Sequence, residues 1–374
     1  MNSAPSCMLT VTGDLMFHGP MAEYMRANND PLWGFRPVSA ALLEGDVLFG
    51  NLETPISRLR RNEPDAPDKY FSPPGTGKAL KRLGYNIVNL GHNHIYDFGA
   101  EGVETTIREL GEAGLPYIGI GRNADEAARP VIVESPTGLR FGFLGYTTAS
   151  TALDSKHAYV ACFPDLERVA ENVANLKSRV GAVVVSCHTG SQYNPYPAPE
   201  TRALARTAIE SGASVFVAHH AHAPQGWERI GGGIAFYCLS DFVAPVQNEQ
   251  TRRTYFARIH LKGDEVSGHE VVPCYITDDC RTILAEGDLR EEIALHIEDI
   301  SRAIVQGESD DLHFEIARGR FFSQYVRSWI EELRVGGLKA MIRKVRSFRA
   351  YHLQLAWRIV AGRLLRGRRK RDRS

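Results

Sequence analysis

The chain has 374 residues, of which 43% are hydrophobic and 24% charged, with 34 Gly and 19 Pro. That composition belongs to an ordinary globular protein with a sizeable core, and it excludes a disordered, collagenous or disulfide-knotted chain. Lys plus Arg equals Asp plus Glu at 44 each, but residues 334–374 hold 14 basic side chains against Asp372 alone, so a body of net charge −13 precedes a tail of +13.

The opening MNSAPSCMLTVTGD has no basic region and no apolar stretch of leader length, and nowhere do 18 apolar residues run together. The expectation is a cytoplasmic protein without a spanning helix. The six cysteines are scattered, mostly inside apolar runs, and read as reduced core thiols.

Apolar runs of strand length occur at 7–12, 46–50, 86–90, 130–134, 140–146, 181–187 and 214–218. Between them, 76–83, 100–113, 165–179 and 198–211 carry helical spacing, as in Val103, Ile107 and Leu110. This alternation predicts an α/β layered fold. From 226 to 275 short runs separated by Gly and charged turns predict a mostly antiparallel second sheet. Beyond about 285 the pattern is helical, with candidates at 288–306, 319–333 and 338–366. The expected organisation is a domain over 1–280 and a helical extension over 281–374.

Five of the apolar runs end in metal-binding residue types: Asp14 after Gly13; Asn51 and Glu53; His92, Asn93 and His94; His188; and His219, His220 and His222. In open α/β sheets the carboxyl ends of the strands converge on one crevice. Singly, each has a plain structural explanation: Gly-Asp is a common turn, an isolated Glu is usually solvated, and one His can be a core residue. Three imidazoles within four residues would each need polar partners, which packing alone does not supply. As a set, the endings predict a divalent metal site of mixed nitrogen and oxygen ligands without thiolate, suited to Mn or Zn and also to Fe.

The ordered series Gly13-Asp14, Asn51-Leu52-Glu53, Asn93-His94 with Asp97-Phe98-Gly99, His188 and His219-His220-Ala221-His222 resembles the CapA family of capsule and poly-γ-glutamate synthesis. The likeness runs over about residues 8–245, through Tyr237–Val243. It implies a calcineurin-like metallophosphoesterase sandwich, with mixed sheets flanked by helices, and two divalent metal ions. By the resemblance, Asp14 ligates the first metal, Glu53 stands in the place of the bridging carboxylate, Asn93, His188 and His220 hold the second metal, and His222 returns to the first. His94 is implied as the acid or base beside the metals, oriented by Asp97.

The chain also departs from the pattern. Met16 stands where metallophosphoesterases usually carry a His, two residues after the first Asp, which predicts a weakened first site. Thr189-Gly190-Ser191-Gln192 replaces a Trp-Gly-x-Glu segment, and Ser240-Asp241 replaces Gly-Asn. The resemblance implies a metal-dependent enzyme acting on a γ-glutamyl polymer, a peptide or a capsule-related precursor. Peptide epimerisation at an α-carbon, phosphodiester hydrolysis and a non-enzymatic role as a membrane-associated assembly factor are the alternatives.

The tail from Leu338 to Leu365 carries Leu338, Met341, Ile342, Val345, Phe348, Leu355 and Ile359 at helical spacing, and ends in a basic cluster. It reads either as a helix packed on the domain or as an anchor for an anionic membrane at the inner face. The acidic body and the lack of a recognised binding module argue against nucleic acid.

Overall fold

Successive residues along a strand face opposite sides of its sheet, and here both faces of most strands are apolar, so each sheet must be covered twice. A computed structural model describes residues 6–57, 70–149, 158–246 and 248–320 and shows how that is done. In chain order the strands are β1 (Ser6–Leu15), β2 (Val47–Leu52), β3 (Tyr85–Asn89), β4 (Tyr117–Ile118), β5 (Ile120–Gly121), β6 (Val131–Glu134), β7 (Arg140–Thr147) and β8 (Val160–Ala161). They continue with β9 (Ala182–His188), β10 (Val215–His219), β11 (Trp227–Ile230), β12 (Gly233–Phe236), β13 (Asp241–Val243), β14 (Arg253–Lys262), β15 (Glu265–Ile276) and β16 (Thr282–Leu284).

One sheet has the order β16-β15-β14-β1-β2-β3-β4, with β13 also paired to β1; the other has the order β11-β12-β10-β9-β7-β6. The sheets share a middle layer: Leu9, Val11, Val47, Phe49 and Ile87 from the first meet Phe141, Phe143, Val184, Val215 and Val217 from the second. The alternate residues face outward. Leu48, Leu52 and Val88 pack with Leu80, Leu83, Val103 and Leu110 of helices Thr76–Leu83 and Gly99–Ala113. Leu144, Val183, Val185 and Phe216 pack with Val169, Val173, Leu204 and Ala208 of helices Leu166–Lys177 and Pro199–Glu210. The result is the helix-flanked α/β sandwich expected, in four layers.

The strands and helices anticipated through residue 220 are present, and all six cysteines are buried free thiols. The region 226–275 differs from expectation. Its strands form no sheet of their own but extend both existing ones: β12 pairs parallel to β10, while β14 lies antiparallel to β1 with Leu9 opposite Ile259. An open sheet edge carries unpaired N–H and C=O groups, and the next strands in the chain satisfy them.

The chain forms two units, Met1–Ser309 and Asp310–Ser374. Helix Gly287–Val305 belongs to the first unit, placing Ile293 and Ile297 in the middle layer and Ile300 and Ile304 in an outer one. The second unit is described only by the helix that runs to Arg320. Residues 321–374, with most of the two last expected helices and the basic stripe, lie outside the described residues. Among the described residues no helix is long and apolar enough to cross a membrane.

Gly13 shows how tightly the carboxyl end of β1 is enclosed. A Cβ there would stand 2.0 Å from the Ser240 carbonyl oxygen, which accepts the Asp14 N–H at 3.0 Å. Backbone on both sides cannot give way as a flexible side chain would. Gly13→Ala is therefore expected to lower stability by at least the roughly 1–3 kcal/mol usual for overpacking, read as a lower urea midpoint. An unchanged midpoint would refute the close approach.

Candidate metal centre

The parallel strands of both sheets end on one side, and their carboxyl ends carry the polar residues. Asp14 near the end of β1 is in register with Asn51 of β2 and with Asp241 of β13. His188 at the end of β9 is in register with His219 at the end of β10. The chain beyond β10 adopts left-handed backbone at His220 (φ 92°) and His222 (φ 47°), and Ser240 (φ 68°) does so just before β13. Non-glycine residues rarely hold this conformation, and such strain concentrates at functional sites.

Two donor groups result. One donor atom from each of Glu53, His188 and His220 lies within 4.8 Å of the others, and the same holds for Asp14, Glu53, His222 and Asp241. Glu53 is common to both. His188 Nε2 lies 2.7 Å from Asn93 Oδ1, 3.0 Å from His220 Nδ1 and 3.3 Å from Glu53 Oε1. On the other side His222 Nε2 stands 3.6 Å from Glu53 Oε1, while its Nδ1 donates to Asp241 Oδ1 at 2.7 Å.

A chain of carboxamides links the groups. Gly91 N–H donates to Asn89 Oδ1 and Gly91 O accepts from Asn89 Nδ2, which fixes that amide's orientation. Asn89 Nδ2 then donates to Asn51 Oδ1 at 2.8 Å, leaving Asn51 Nδ2 to face Asp14 Oδ1 at 2.8 Å and His188 Nδ1 at 3.2 Å. His219 Nδ1 lies 3.2 Å from Asp14 Oδ1, so this imidazole turns toward the first carboxylate rather than into either donor group.

The residues fit a cation. Glu53 is fully buried, yet neither of its carboxylate oxygens accepts a hydrogen bond among the described residues. Burial, with the Asp14 charge beside it, pushes this carboxyl well above the usual range. Burial holds His188 and His220 below the ordinary imidazole range, His220 at about 3, and mutual repulsion among the imidazoles adds to this. His222 goes the other way: burial opposes its charge, but Asp241, Glu53 and Asp14 raise it to about 10. A divalent ion would favour the charged form of this buried carboxylate, and oxygen with imidazole donors suits Mn, Fe or Zn.

The remaining expected residues sit at the rim. His94 Nδ1 lies 2.9 Å from Asp97 Oδ2, which also accepts the Tyr70 N–H at 2.8 Å. The Tyr70 ring stacks on His18 at 4.0 Å and meets His94 edge-on at 4.6 Å. Met16 is buried, and its N–H donates to Val243 O. Sequence reasoning missed Asp241 as a donor and Asn89 as a support. Asp241 follows an apolar run like the other candidate donors, but its register beside Asp14 is set by β13, a three-residue strand too short to read from periodicity.

A family model described as bacterial capsule synthesis protein PGA_cap matches residues 8–246. The chain belongs to this family. Among its relatives are the capsule biosynthesis protein CapA of Bacillus anthracis, 30% identical over 72% of this chain and 67% of that protein, and the PGA biosynthesis protein CapA of Bacillus subtilis, 27% identical over 64% of each. The chain thus spans about two thirds of their length. A solved Staphylococcus aureus structure, named as a candidate 5'-nucleotidase in complex with α-ketoglutarate, aligns over 79% of this chain and 58% of that chain at 14% identity and a TM-score of 0.46.

The charges of the centre set a pH dependence. The folded pKa of His222, about 10, lies above its ordinary 6.5, and the Glu53 carboxyl is likewise raised; both contribute stability at low pH that is lost as pH rises through their folded values. Once the pH is about a unit above the ordinary imidazole value, His188 and His220 are neutral in both folded and unfolded chains and no longer oppose this. Chelator-treated protein should therefore lose thermal stability from about pH 7.5 upward. The increment on adding Mn should grow over the same range, because ligands must shed protons to bind metal. A flat thermal midpoint in chelator would contradict the assignment.

Proposed function

We propose that this CapA-family chain is a two-metal hydrolase that cleaves a γ-glutamyl or peptide bond in a capsule or poly-γ-glutamate precursor. The observation that carries the reading is the sharing of one fully buried carboxylate, Glu53, between two donor groups. Asp14, His222 and Asp241 would hold one ion with Glu53, and Asn93, His188 and His220 the other. Bound there, divalent ions would supply Lewis acidity toward the scissile carbonyl and acidify the attacking water.

The protein's own groups supply the rest. Asp97, held by the Tyr70 N–H, accepts from His94 Nδ1 and so directs Nε2 of that ring away from itself. Nε2, bare in that tautomer, takes the proton released by the attacking water and passes it to the amine as the carbonyl carbon–nitrogen bond breaks. The burial of Asp14, Glu53 and His188 keeps bulk water from screening the charges that act on the substrate. The names of the Bacillus relatives support the substrate class, since both are biosynthesis proteins of capsule or PGA.

The test uses purified full-length chain, Mn or Zn, and a γ-glutamyl oligomer in heavy water. Cleavage into unlabelled fragments, abolished by chelator and restored by metal, is the expected result. Deuterium at the α-carbon of an intact peptide would overturn hydrolysis in favour of epimerisation. His94→Ala should retain metal and lose turnover by about 10²–10⁴-fold, the usual worth of a positioned acid or base. An unchanged rate would remove His94 from the proton-transfer role.

A further inference from the structure

The two donor groups are chemically unlike. Around Asp14 the set is three carboxylates, from Asp14, Glu53 and Asp241, with one imidazole, from His222. Around His188 it is two imidazoles, from His188 and His220, with the Glu53 carboxylate and the Asn93 carboxamide oxygen 2.7 Å from His188 Nε2. Oxygen-rich, anionic sets favour hard ions such as Mn and Mg, whereas imidazole suits Zn and Fe.

Resting on the two-metal reading above, we propose that the centre holds two different ions: Mn in the carboxylate group and Zn or Fe in the histidine group. Asp241 is the residue that sets the difference. Without it the first group would be Asp14, Glu53 and His222, two carboxylates and one imidazole, close in character to the second. The fold puts deliberate geometry into this side chain. β13 brings it into register with Asp14, a left-handed Ser240 turns the chain into that strand, and the Ser240 carbonyl is locked on the Asp14 N–H.

Asp241 is 2% exposed and accepts from His222 Nδ1, so that Nε2 of that ring is left facing Glu53. A carboxylate behind a ligating imidazole fixes its tautomer and raises its basicity. One side chain therefore supplies negative charge to the first group and orients that group's imidazole. This also answers the absence of an imidazole at position 16. Met16 is buried with no donor suited to a hard ion, and the oxygen that completes the set comes from a different strand.

The experiment needs no substrate. Chelator-treated wild-type protein is given one equivalent of Mn and then Zn in steps, with protein-bound Mn followed by electron paramagnetic resonance. Bound Mn should persist through the first equivalent of Zn and be displaced only by a further excess. Asp241→Asn, which keeps an oxygen for His222 Nδ1 but removes the charge, should weaken Mn binding at one site by about tenfold or more, within the range for loss of a supporting carboxylate, and leave the first Zn unchanged. His188→Gln should do the reverse. Displacement of Mn by the first equivalent of Zn, or equal weakening of both metals by each variant, would overturn the proposal. Binding of neither metal by wild type would instead overturn the two-metal reading on which it rests.

Discussion

Burying a carboxylate without a hydrogen-bond partner costs several kcal/mol, and Glu53 is such a group. The fold surrounds this group by aiming the carboxyl ends of parallel strands from two sheets at one point, where the His222 charge opposes the cost and the Asp14 charge adds to it. Asp14 arrives from β1, His188 from β9, and His220 and His222 from the turn after β10. Parallel strands buried on both faces can be held this way only between two layers of helices, which ties the four-layer sandwich to the needs of the site.

The same enclosure stores strain. His220, His222 and Ser240 all hold positive φ, at a cost on the order of 1–3 kcal/mol each. Such conformations persist only where the surroundings leave no alternative. Here the His220 N–H donates to Asp14 Oδ2, and the Ser240 carbonyl accepts the Asp14 N–H against a glycine that no other residue can replace without collision. Asp14 is thus gripped at both its backbone and its side chain, which explains why its carboxyl stays ionised in spite of full burial, with His219 and His222 offsetting the desolvation.

Support and chemistry are separated in space. The Gly91-Asn89-Asn51 amide chain lies behind the donor groups and touches both, so a shift at one is felt at the other. His94, Asp97, Tyr70 and His18 form a half-buried aromatic and acidic cluster instead. Membership of the capsule synthesis family explains the common frame. The departure at position 241 lies inside the first donor group, where an added carboxylate changes the balance between nitrogen and oxygen donors, and the methionine at position 16 is buried two residues beyond Asp14.

How much of this the amino-acid order contained differs by element. The strands through residue 220 and the helices between them were legible, because apolar periodicity acts within a few residues and burial of both faces demands long apolar runs. Asp14, Glu53, Asn93, His188, His220 and His222 could be picked out for the related reason that each follows such a run. Three things needed the tertiary structure. The strands after 226 join existing sheets because open edges, not local propensity, choose their partners. Asp241 becomes a donor only through pairing of a three-residue strand with β1, a contact across more than two hundred residues. The standing of Glu53 between two groups is a matter of distances, which spacing along a chain cannot express: its surroundings come from strands of both sheets, and only their packing brings those side chains within reach of one another.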